Sequence, residues 1–190
     1  SEPKLWVNQK SLLYLRKVRM LLGEIKSYNL FAVQMTHCKL ILDIDTHKKI
    51  TSFVEDEYKE SDKISCVKGF QFHQNFNGKE ELNNCLNIYL KNNFYFEIQN
   101  AWLNVLGNDS YNKPHFHPCD TQLYSGVYYL SNDNNVITFI KEDQTFEIEP
   151  KMFDLLIFPY NLIHYVLPAK RSQKRICYAF NLQKIKKKEK

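Results

Sequence analysis

The stretch PHFHP at residues 114–118 decides how the rest of this sequence is interpreted. Side chains alternate between the two faces of a β-strand, so His115 and His117 would project from the same side. His164 follows an apolar run and precedes a second strand-like segment, and it could therefore reach the same place from a distant strand. The sequence thus predicts a metal site built from His115, His117 and His164.

The residues alone do not decide which group is the third ligand of this site. Imidazoles suit borderline metals such as Fe(II), Zn(II), Cu and Ni, and non-haem iron oxygenases commonly combine two histidines with one carboxylate. Here His117 stands where that acid is expected. The nearest carboxylate, Asp120, lies beyond Pro118 and has the opposite strand parity. We therefore expect His117 to complete the site, with water or Asp120 as the alternative.

Arg175 supplies a second chemical feature. It directly precedes the apolar run of residues 176–180, although other cations crowd residues 170–174. A charge on an apolar strand needs a buried anionic partner or water, and the planar guanidinium suits two parallel hydrogen bonds to a carboxylate. A metal face beside such an anion clamp indicates an enzyme that binds a small acidic co-substrate next to a redox metal.

Composition limits the class of protein. A chain of 190 residues with 44% hydrophobic and 14% aromatic residues is long enough for one domain with a substantial core. Only five glycines and six prolines argue against a disordered or linker-rich chain. No apolar run approaches the roughly 20 residues that cross a bilayer, so we expect no membrane segment.

Cysteine usage and charge bear on compartment and partners. The five cysteines are widely spread without a CxxC pair, which argues against disulfides and zinc ribbons and favours the cytoplasm. The first residues also lack the pattern of a secretory signal. Much of the net charge of +5 comes from residues 184–190. Such a run is typical of a solvated end, and we do not expect a nucleic-acid partner.

Hydrophobic periodicity predicts helices and strands in the first half of the chain and strands alone in the second. Helices are expected at residues 12–26 and 79–92, strands at residues 39–44 and 49–54, and an extended segment at residues 67–73. In the second half, short runs separated by turn residues indicate a sandwich or barrel. The expected strands are residues 94–106, 123–130, 136–140, 145–149, 153–158, 164–167 and 175–182.

We accordingly expect one domain over residues 1–190, of class α+β and mainly β. Residues 1–93 would form a helical and β support region, residues 94–182 the barrel core, and residues 183–190 a basic tail.

Several segments together resemble the 2-oxoglutarate/Fe(II)-dependent oxygenase superfamily, in particular its branch of small bacterial and phage-type oxygenases. Each segment alone is common, whereas the combination is specific. The resemblance covers residues 94–182 well and the preceding residues weakly. Its segments are Trp102-Leu103-Asn104-Val105, Tyr111-Asn112-Lys113-Pro114-His115-Phe116-His117-Pro118, Leu123-Tyr124-Ser125-Gly126-Val127-Tyr128-Tyr129-Leu130, Pro150-Lys151, Leu155-Leu156-Ile157-Phe158-Pro159, His164, Arg175-Ile176 and Phe180-Asn181.

The resemblance implies a double-stranded β-helix, a jelly-roll or cupin-like barrel, with flanking N-terminal helices. It implies Fe(II) held by His115, His117 and His164, with 2-oxoglutarate and O2 as co-substrates. Arg175 would then pair with the distal carboxylate of 2-oxoglutarate, and Tyr129 would help to hold that carboxylate. The implied reaction hydroxylates a small-molecule, amino-acid or peptidyl substrate and releases succinate and CO2.

Three further residues follow from the resemblance and from strand parity. Asn104 lies where related oxygenases place an Asn or Tyr near the co-substrate. Ser125 shares strand parity with Tyr129 and could face the same pocket, whereas Tyr128 is expected to pack outward. One departure concerns a turn, since Phe153 stands where the branch usually has Gly before a strand.

Two other interpretations remain open. A cupin-like three-histidine enzyme of the thiol dioxygenase type would explain the histidines, but it would leave Arg175 without a role. A non-catalytic barrel that binds a metal, a small acid or a protein partner is also compatible with the residues. The oligomeric state is not readable from the sequence.

Overall fold

The computed structural model describes residues 21–30, 33–45, 47–48, 65–72, 79–89, 94–117, 124–132 and 135–186. Within these ranges it contains twelve strands and one helix of more than two turns. The elements are β1 (Leu21–Leu30), β2 (Val33–Ile41), β3 (Cys66–Val67), β4 (Phe70–Phe72), α1 (Lys79–Tyr89), β5 (Phe94–Leu106), β6 (Tyr111–His115), β7 (Tyr124–Tyr129), β8 (Ile137–Lys141), β9 (Gln144–Ile148), β10 (Asp154–Pro159), β11 (Ile163–Val166) and β12 (Arg175–Lys186).

Two antiparallel sheets form the body of the molecule. The major sheet has seven strands in the order β1-β2-β10-β7-β12-β5-β4, and the minor sheet has five in the order β3-β6-β11-β8-β9. Strands that are neighbours in the sheets are distant in the chain, as when β12 inserts between β5 and β7. This arrangement confirms the expected double-stranded β-helix and the mainly β class.

Apolar side chains fill both sides of the major sheet. The inner core lies between the sheets and combines residues of the major sheet, such as Trp102 and Phe158, with Phe139 and Val166 of the minor sheet. The outer core lies on the other face of the major sheet, where Leu82 of α1 joins residues from β5, β7 and β12. Burial on both faces explains why β7 and β10 are nearly continuous buried runs without polar alternation.

The expected helix at residues 79–92 is confirmed for Lys79–Tyr89. Two asparagines attach it to β5, because the Asn87 amide donates to the Phe96 carbonyl at 2.7 Å while its oxygen accepts from the Phe96 N–H at 2.6 Å. The oxygen of Asn83 accepts from the Ile98 N–H at 3.0 Å. In the part of the chain that the structure describes, no helix is long and apolar enough to span a bilayer.

The expected helix at residues 12–26 is wrong where the structure describes it. Residues 21–26 belong to β1, which forms a hairpin with β2 whose register pairs Leu22 with Leu40 and Leu30 with Val33. Helical spacing of apolar residues is a weak preference, and hydrogen bonding to a neighbouring strand overrides it here. Residues 12–20 lie outside the described ranges.

Other predictions for the first half are partly corrected. The strand expected at residues 39–44 is replaced by β2, which begins at Val33 and ends at Ile41. Its central residues pair with β10, so the strand is fixed by the major sheet. The strand expected at residues 49–54 lies outside the described ranges. The extended segment at residues 67–73 is present as the short strands β3 and β4.

The strands expected after residue 93 are confirmed, with β5 matching its predicted bounds. The final strand is longer than predicted, because β12 continues to Lys186 and pairs there with Phe94. Four residues of the expected basic tail, 183–186, therefore belong to the major sheet. Residues 187–190 lie outside the described ranges.

The turn before β10 explains one departure from the family pattern. Phe153 has a φ of 71°, a left-handed conformation that Gly adopts freely and that costs other residues about 1–2 kcal/mol. The Phe153 N–H donates to the Tyr129 carbonyl at 2.8 Å, and its carbonyl accepts from the Leu40 N–H at 2.8 Å. Its ring packs against the outer core, and these contacts hold the residue in that conformation.

Candidate metal centre

The three predicted histidines meet between the sheets. His115 ends β6 and is paired in register with His164 of β11, so the backbone ladder sets their rings side by side, with centroids 4.3 Å apart. His117 follows β6, where its N–H donates to the Tyr160 carbonyl at 2.9 Å. One nitrogen from each ring lies within 4.8 Å of the others. This spacing allows one ion to be shared by all three.

Backbone carbonyls fix the protonation of two of these rings. Nδ1 of His115 lies 2.7 Å from the Lys113 carbonyl, and Nδ1 of His164 lies 3.0 Å from the Leu162 carbonyl. A carbonyl oxygen only accepts, so both Nδ1 atoms must carry the proton. In the neutral rings Nε2 then retains a lone pair, the state that a metal requires.

At His117, side chains take the place of the backbone carbonyls as partners of Nδ1. Its Nδ1 lies 2.8 Å from Oδ1 of Asn181 and 2.7 Å from Oγ of Ser125. Its Nε2 is buried and has no hydrogen-bond partner among the described residues. Buried polar atoms are nearly always satisfied. An ion at this centre would satisfy this nitrogen.

The surroundings of the histidines keep them neutral. Burial lowers the pKa of all three rings. For His117, burial and then the neighbouring His115 bring the pKa to about 4. For His164 the lowering of the pKa is due to burial first and to His115 and His117 second. Neutral imidazoles at pH 7 are ready to bind a metal without first losing a proton.

Arg175 lies in the same cleft, at the first residue of β12. Its side chain is only 2% exposed. The guanidinium donates to the Asn135 carbonyl at 2.9 Å and to the Tyr129 hydroxyl at 3.0 Å, and its central carbon lies 4.9 Å from the Tyr129 ring centroid. Tyr129 thereby holds Arg175 both through its hydroxyl and through its ring face. The result is a fixed cation in a largely apolar wall.

The cleft that joins these groups has a volume of about 380 Å³, including the space at its open mouth. Val127, Ile137 and Ala179 supply apolar walls, and Cys177 is also part of the lining. The polar lining consists of His115, His117, His164, Asn104, Asn112, Tyr129, Tyr165 and Arg175.

A buried amide network orients Asn104 at the edge of the cleft. Nε2 of Gln71 donates to Oδ1 of Asn104 at 3.1 Å and to Oγ of Ser65 at 3.3 Å. The amide of Asn112 donates to the same Ser65 oxygen at 3.3 Å. Among the described residues no hydrogen bond uses the amide nitrogen of Asn104. Gln71 thus fixes the Asn104 oxygen and leaves the NH2 group as the donor that a ligand can use.

The structure brings together seven of the residues that the sequence singled out, though not all in the same role. Asn104, His115, His117, Tyr129, His164 and Arg175 line the cleft. Ser125 lies behind His117, where it contacts the ring nitrogen that faces away from the centre. Tyr128 faces the outer core and donates to the Leu40 carbonyl at 3.0 Å. Asp120 lies outside the described ranges.

Sequence reasoning gave no role to two residues that support the site, although Asn181 belongs to one of the segments that carry the resemblance. Asn181 has the same strand parity as Arg175 on β12, a signal that could have placed it on the inner face of the major sheet. Gln71 carried no comparable signal, because its segment is short and β4 lies at a sheet edge.

Comparison with known proteins supports the fold. No protein-family model and no curated protein sequence matches this chain. A prolyl-4-hydroxylase from Pseudomonas putida has a similar structure, with a TM-score of 0.58 and 14% identity over 82% of this chain and 95% of that one.

Two further solved structures show how widely this fold is used. A prolyl hydroxylase from Trichoplax adhaerens, in complex with a hypoxia-inducible-factor peptide fragment, gives a TM-score of 0.59 and 10% identity over 78% of this chain and 83% of that one. The non-heme α-ketoglutarate-dependent epimerase SnoN from nogalamycin biosynthesis gives 0.56 and 10%, over 78% and 77%. The chain therefore has the double-stranded β-helix fold of 2-oxoglutarate/Fe(II) oxygenases.

Proposed function

We propose that this protein is an Fe(II)- and 2-oxoglutarate-dependent oxygenase. The observation that carries the proposal is the coexistence, in one cleft, of a three-histidine face and a buried arginine. The histidines offer neutral nitrogen ligands that suit Fe(II). Arg175 offers a fixed cation for an acid that reaches from the metal into the inner core.

His115, His117 and His164 would hold iron through their Nε2 atoms. With O2 and 2-oxoglutarate, bound iron supplies the oxidising chemistry, in which the co-substrate leaves as succinate and CO2 while the substrate is oxidised. The protein's contribution is to position the reactants and to exclude water.

The chain's own groups would bind the co-substrate. Arg175 would donate hydrogen bonds to its distal carboxylate, and so would the Tyr129 hydroxyl, which contacts Arg175 at 3.0 Å. The Asn104 NH2 group would donate from the same sheet, because Asn104 of β5 pairs with Cys177, two residues along β12 from Arg175. Val127 and Ala179 cover the carbon chain, so the charged ends are bound in a site with few competing water molecules.

The substrate would approach from the open mouth of the cleft. Tyr165 lines the cleft, and Phe116, which is 49% exposed, lies between two of the ligands. We propose a small-molecule, amino-acid or peptidyl substrate and hydroxylation as the outcome. The prolyl hydroxylases among the similar structures support this class, whereas the epimerase shows that the same fold serves another outcome. Cys38, Cys66 and Cys177 form no disulfide in the described part of the chain, and we propose a cytoplasmic location.

The proposal is tested by succinate release without added substrate. The purified protein is incubated with Fe(II), ascorbate, 2-oxoglutarate and O2, and succinate is measured against the variant His164→Ala. We expect slow, uncoupled succinate formation that the variant lacks. Absence of succinate from the native protein, under conditions where it binds Fe(II), would contradict the proposal.

One observation favours a second candidate, a three-histidine dioxygenase of the thiol type. All three ligands are neutral imidazoles, and none of the clustered ligands in the described residues is a carboxylate. This candidate predicts O2 consumption with a small thiol such as cysteine and no response to 2-oxoglutarate. The same assay, with O2 uptake recorded, therefore separates the two candidates.

A further inference from the structure

The third histidine of the metal centre is held differently from the other two. His115 and His164 use backbone carbonyls two residues away, contacts that do not depend on side-chain identity. His117 instead contacts two polar side chains, Asn181 and Ser125. Among the described residues, His117 is therefore the one histidine of the three whose Nδ1 is held by side chains rather than by the backbone.

The strand register creates this contact. Asn181 of β12 is paired directly with Ser125 of β7 in the major sheet. Their side chains meet, with Oγ of Ser125 lying 3.2 Å from Oδ1 of Asn181. Both residues are buried, Ser125 completely, so water does not compete for these groups. The Trp102 ring, with its centroid 5.0 Å from that of the His117 ring, closes another side of His117.

The orientation of the Asn181 amide sets the hydrogens in this triangle. An amide oxygen only accepts, so with Oδ1 of Asn181 facing Nδ1 of His117 at 2.8 Å the ring carries its proton on Nδ1. The Ser125 hydroxyl then donates to Oδ1 of Asn181 and accepts from the same Nδ1–H. With the Asn181 amide turned by 180°, its NH2 group would face Nδ1, and the proton would be on Nε2, where it blocks a metal.

We infer that Asn181, assisted by Ser125, is a positioning residue that makes His117 the third ligand of the centre. It selects the Nδ1–H tautomer and aims Nε2 at the metal. The inference rests on the metal centre of the proposed function. This role explains how a neutral histidine can be the third ligand where related oxygenases use an acid. A ligating histidine needs a partner on its other nitrogen, and here β7 and β12 supply that partner.

The first test measures the tautomer of the metal-free protein by long-range 1H–15N NMR on histidine-labelled samples. We expect His117 with a protonated Nδ1 and an unprotonated Nε2 in the native protein. In Asn181→Leu the acceptor is lost, and we expect a mixture of tautomers. A native His117 with its proton on Nε2 would overturn the inference, and this result requires no variant to fold.

The second test measures Co(II) affinity by calorimetric titration. We expect Asn181→Leu to weaken binding about 10–100-fold, the usual effect of removing such a partner. Asn181→Asp keeps an accepting oxygen and should bind Co(II) at least as tightly as the native protein. Gln183→Leu, the same type of change two residues further along β12, serves as the matched control and should leave the affinity unchanged.

The outcomes separate this inference from the proposed function. An Asn181→Leu protein with native tautomer and native Co(II) affinity overturns the inference and leaves the oxygenase proposal intact. Conversely, a protein with the expected tautomers and Co(II) affinities that shows no response to 2-oxoglutarate supports the role of Asn181 and contradicts the oxygenase proposal.

Discussion

Arg175 shows most clearly how a single residue can report on function. Burying a guanidinium is costly unless its donors are satisfied. Here the fold provides the Asn135 carbonyl and the Tyr129 hydroxyl, and it places the group in the wall of the cleft lined by the three histidines. The proposal that this cleft binds a small acid rests on this fixed cation.

Substitution of Arg175 by Lys tests this role. Lysine keeps the charge but not the planar pair of donors, and each hydrogen bond lost to a charged group costs about 1.5–3 kcal/mol. We expect 2-oxoglutarate to bind at least about tenfold more weakly, while Mn(II) affinity stays native. Both affinities can be measured by calorimetry, with Lys174→Ala as an exposed control next to it. Equal 2-oxoglutarate affinity in native and Arg175→Lys protein would contradict the role.

At the residue scale, the sequence singled out residues whose type is chemically unusual in its setting. Histidines at alternate positions and an arginine on an apolar strand both violate the expected pattern for a core, so they drew attention. The residues that support them, Asn181 and Gln71, are common polar side chains. Their importance depends on which strands become neighbours, and β12 meets β7 only through the sheet topology.

At the scale of elements, Gly126 shows how tightly the centre of the major sheet is packed. It lies on β7 directly opposite Phe180 of β12. A Cβ atom at this position would lie 2.2 Å from the Phe180 ring, closer than real contacts allow. The ring is fully buried and cannot swing away. The glycine is therefore required by packing rather than by backbone conformation.

We predict that Gly126→Ala destabilises the protein by about 1–3 kcal/mol or more, the typical cost of overpacking a core. The free energy of unfolding in urea measures this loss. In a Phe180→Leu background the same change should cost clearly less, because the clashing ring atoms are gone. An equal cost in both backgrounds would show that the clash with Phe180 is not its cause.

A second element-scale feature joins β2 to β10. The carboxylate of Asp154 accepts from Lys39 at 2.8 Å and from the Lys151 N–H at 2.8 Å, and it lies 3.1 Å from Nε2 of His37. Burial raises the pKa of Asp154, but the contacts with His37, Lys151 and Lys39 outweigh it, so the pKa is lowered overall. The ionised form is thus favoured in the folded protein.

This lowered pKa predicts the pH dependence of stability. The stabilisation by Asp154 is fully present above the unfolded pKa of about 3.9 and is lost as the pH falls through the lower folded value. Asp154→Asn should be less stable than the native protein by about 1–3 kcal/mol near pH 5. This difference should shrink toward pH 3. Urea unfolding of both proteins measures it, and a difference that grows on acidification would contradict the assignment.

The segment that forms β1 shows a limit of predicting secondary structure from sequence. Leu21, Leu22 and Ile25 repeat at helical spacing, yet these residues pair with β2 as a strand. The spacing of apolar residues does not reveal that β2 lies nearby and can form backbone hydrogen bonds with this segment. After residue 93, by contrast, short β-rich runs and the turn residues between them indicated the same answer, and the predicted strands are present.

At the scale of the whole molecule, each of the two sheets supplies part of the site. The minor sheet carries His115 and His164, while the major sheet carries Arg175 and the Ser125 and Asn181 pair that holds His117. The centre therefore exists only when both sheets have formed and packed around the inner core. The sequence indicated the fold class and these residues, but the division between sheets required the strand order.

Anaerobic binding of 2-oxoglutarate to the Fe(II)-loaded protein tests the central claim most directly. A chelate of the keto acid with iron gives a weak visible absorption band, which can be titrated with the co-substrate in the absence of O2. We predict a saturable band in the native protein that Arg175→Lys shifts to higher 2-oxoglutarate concentration and that His164→Ala abolishes. A native protein that binds Fe(II) but develops no such band with 2-oxoglutarate would contradict the account.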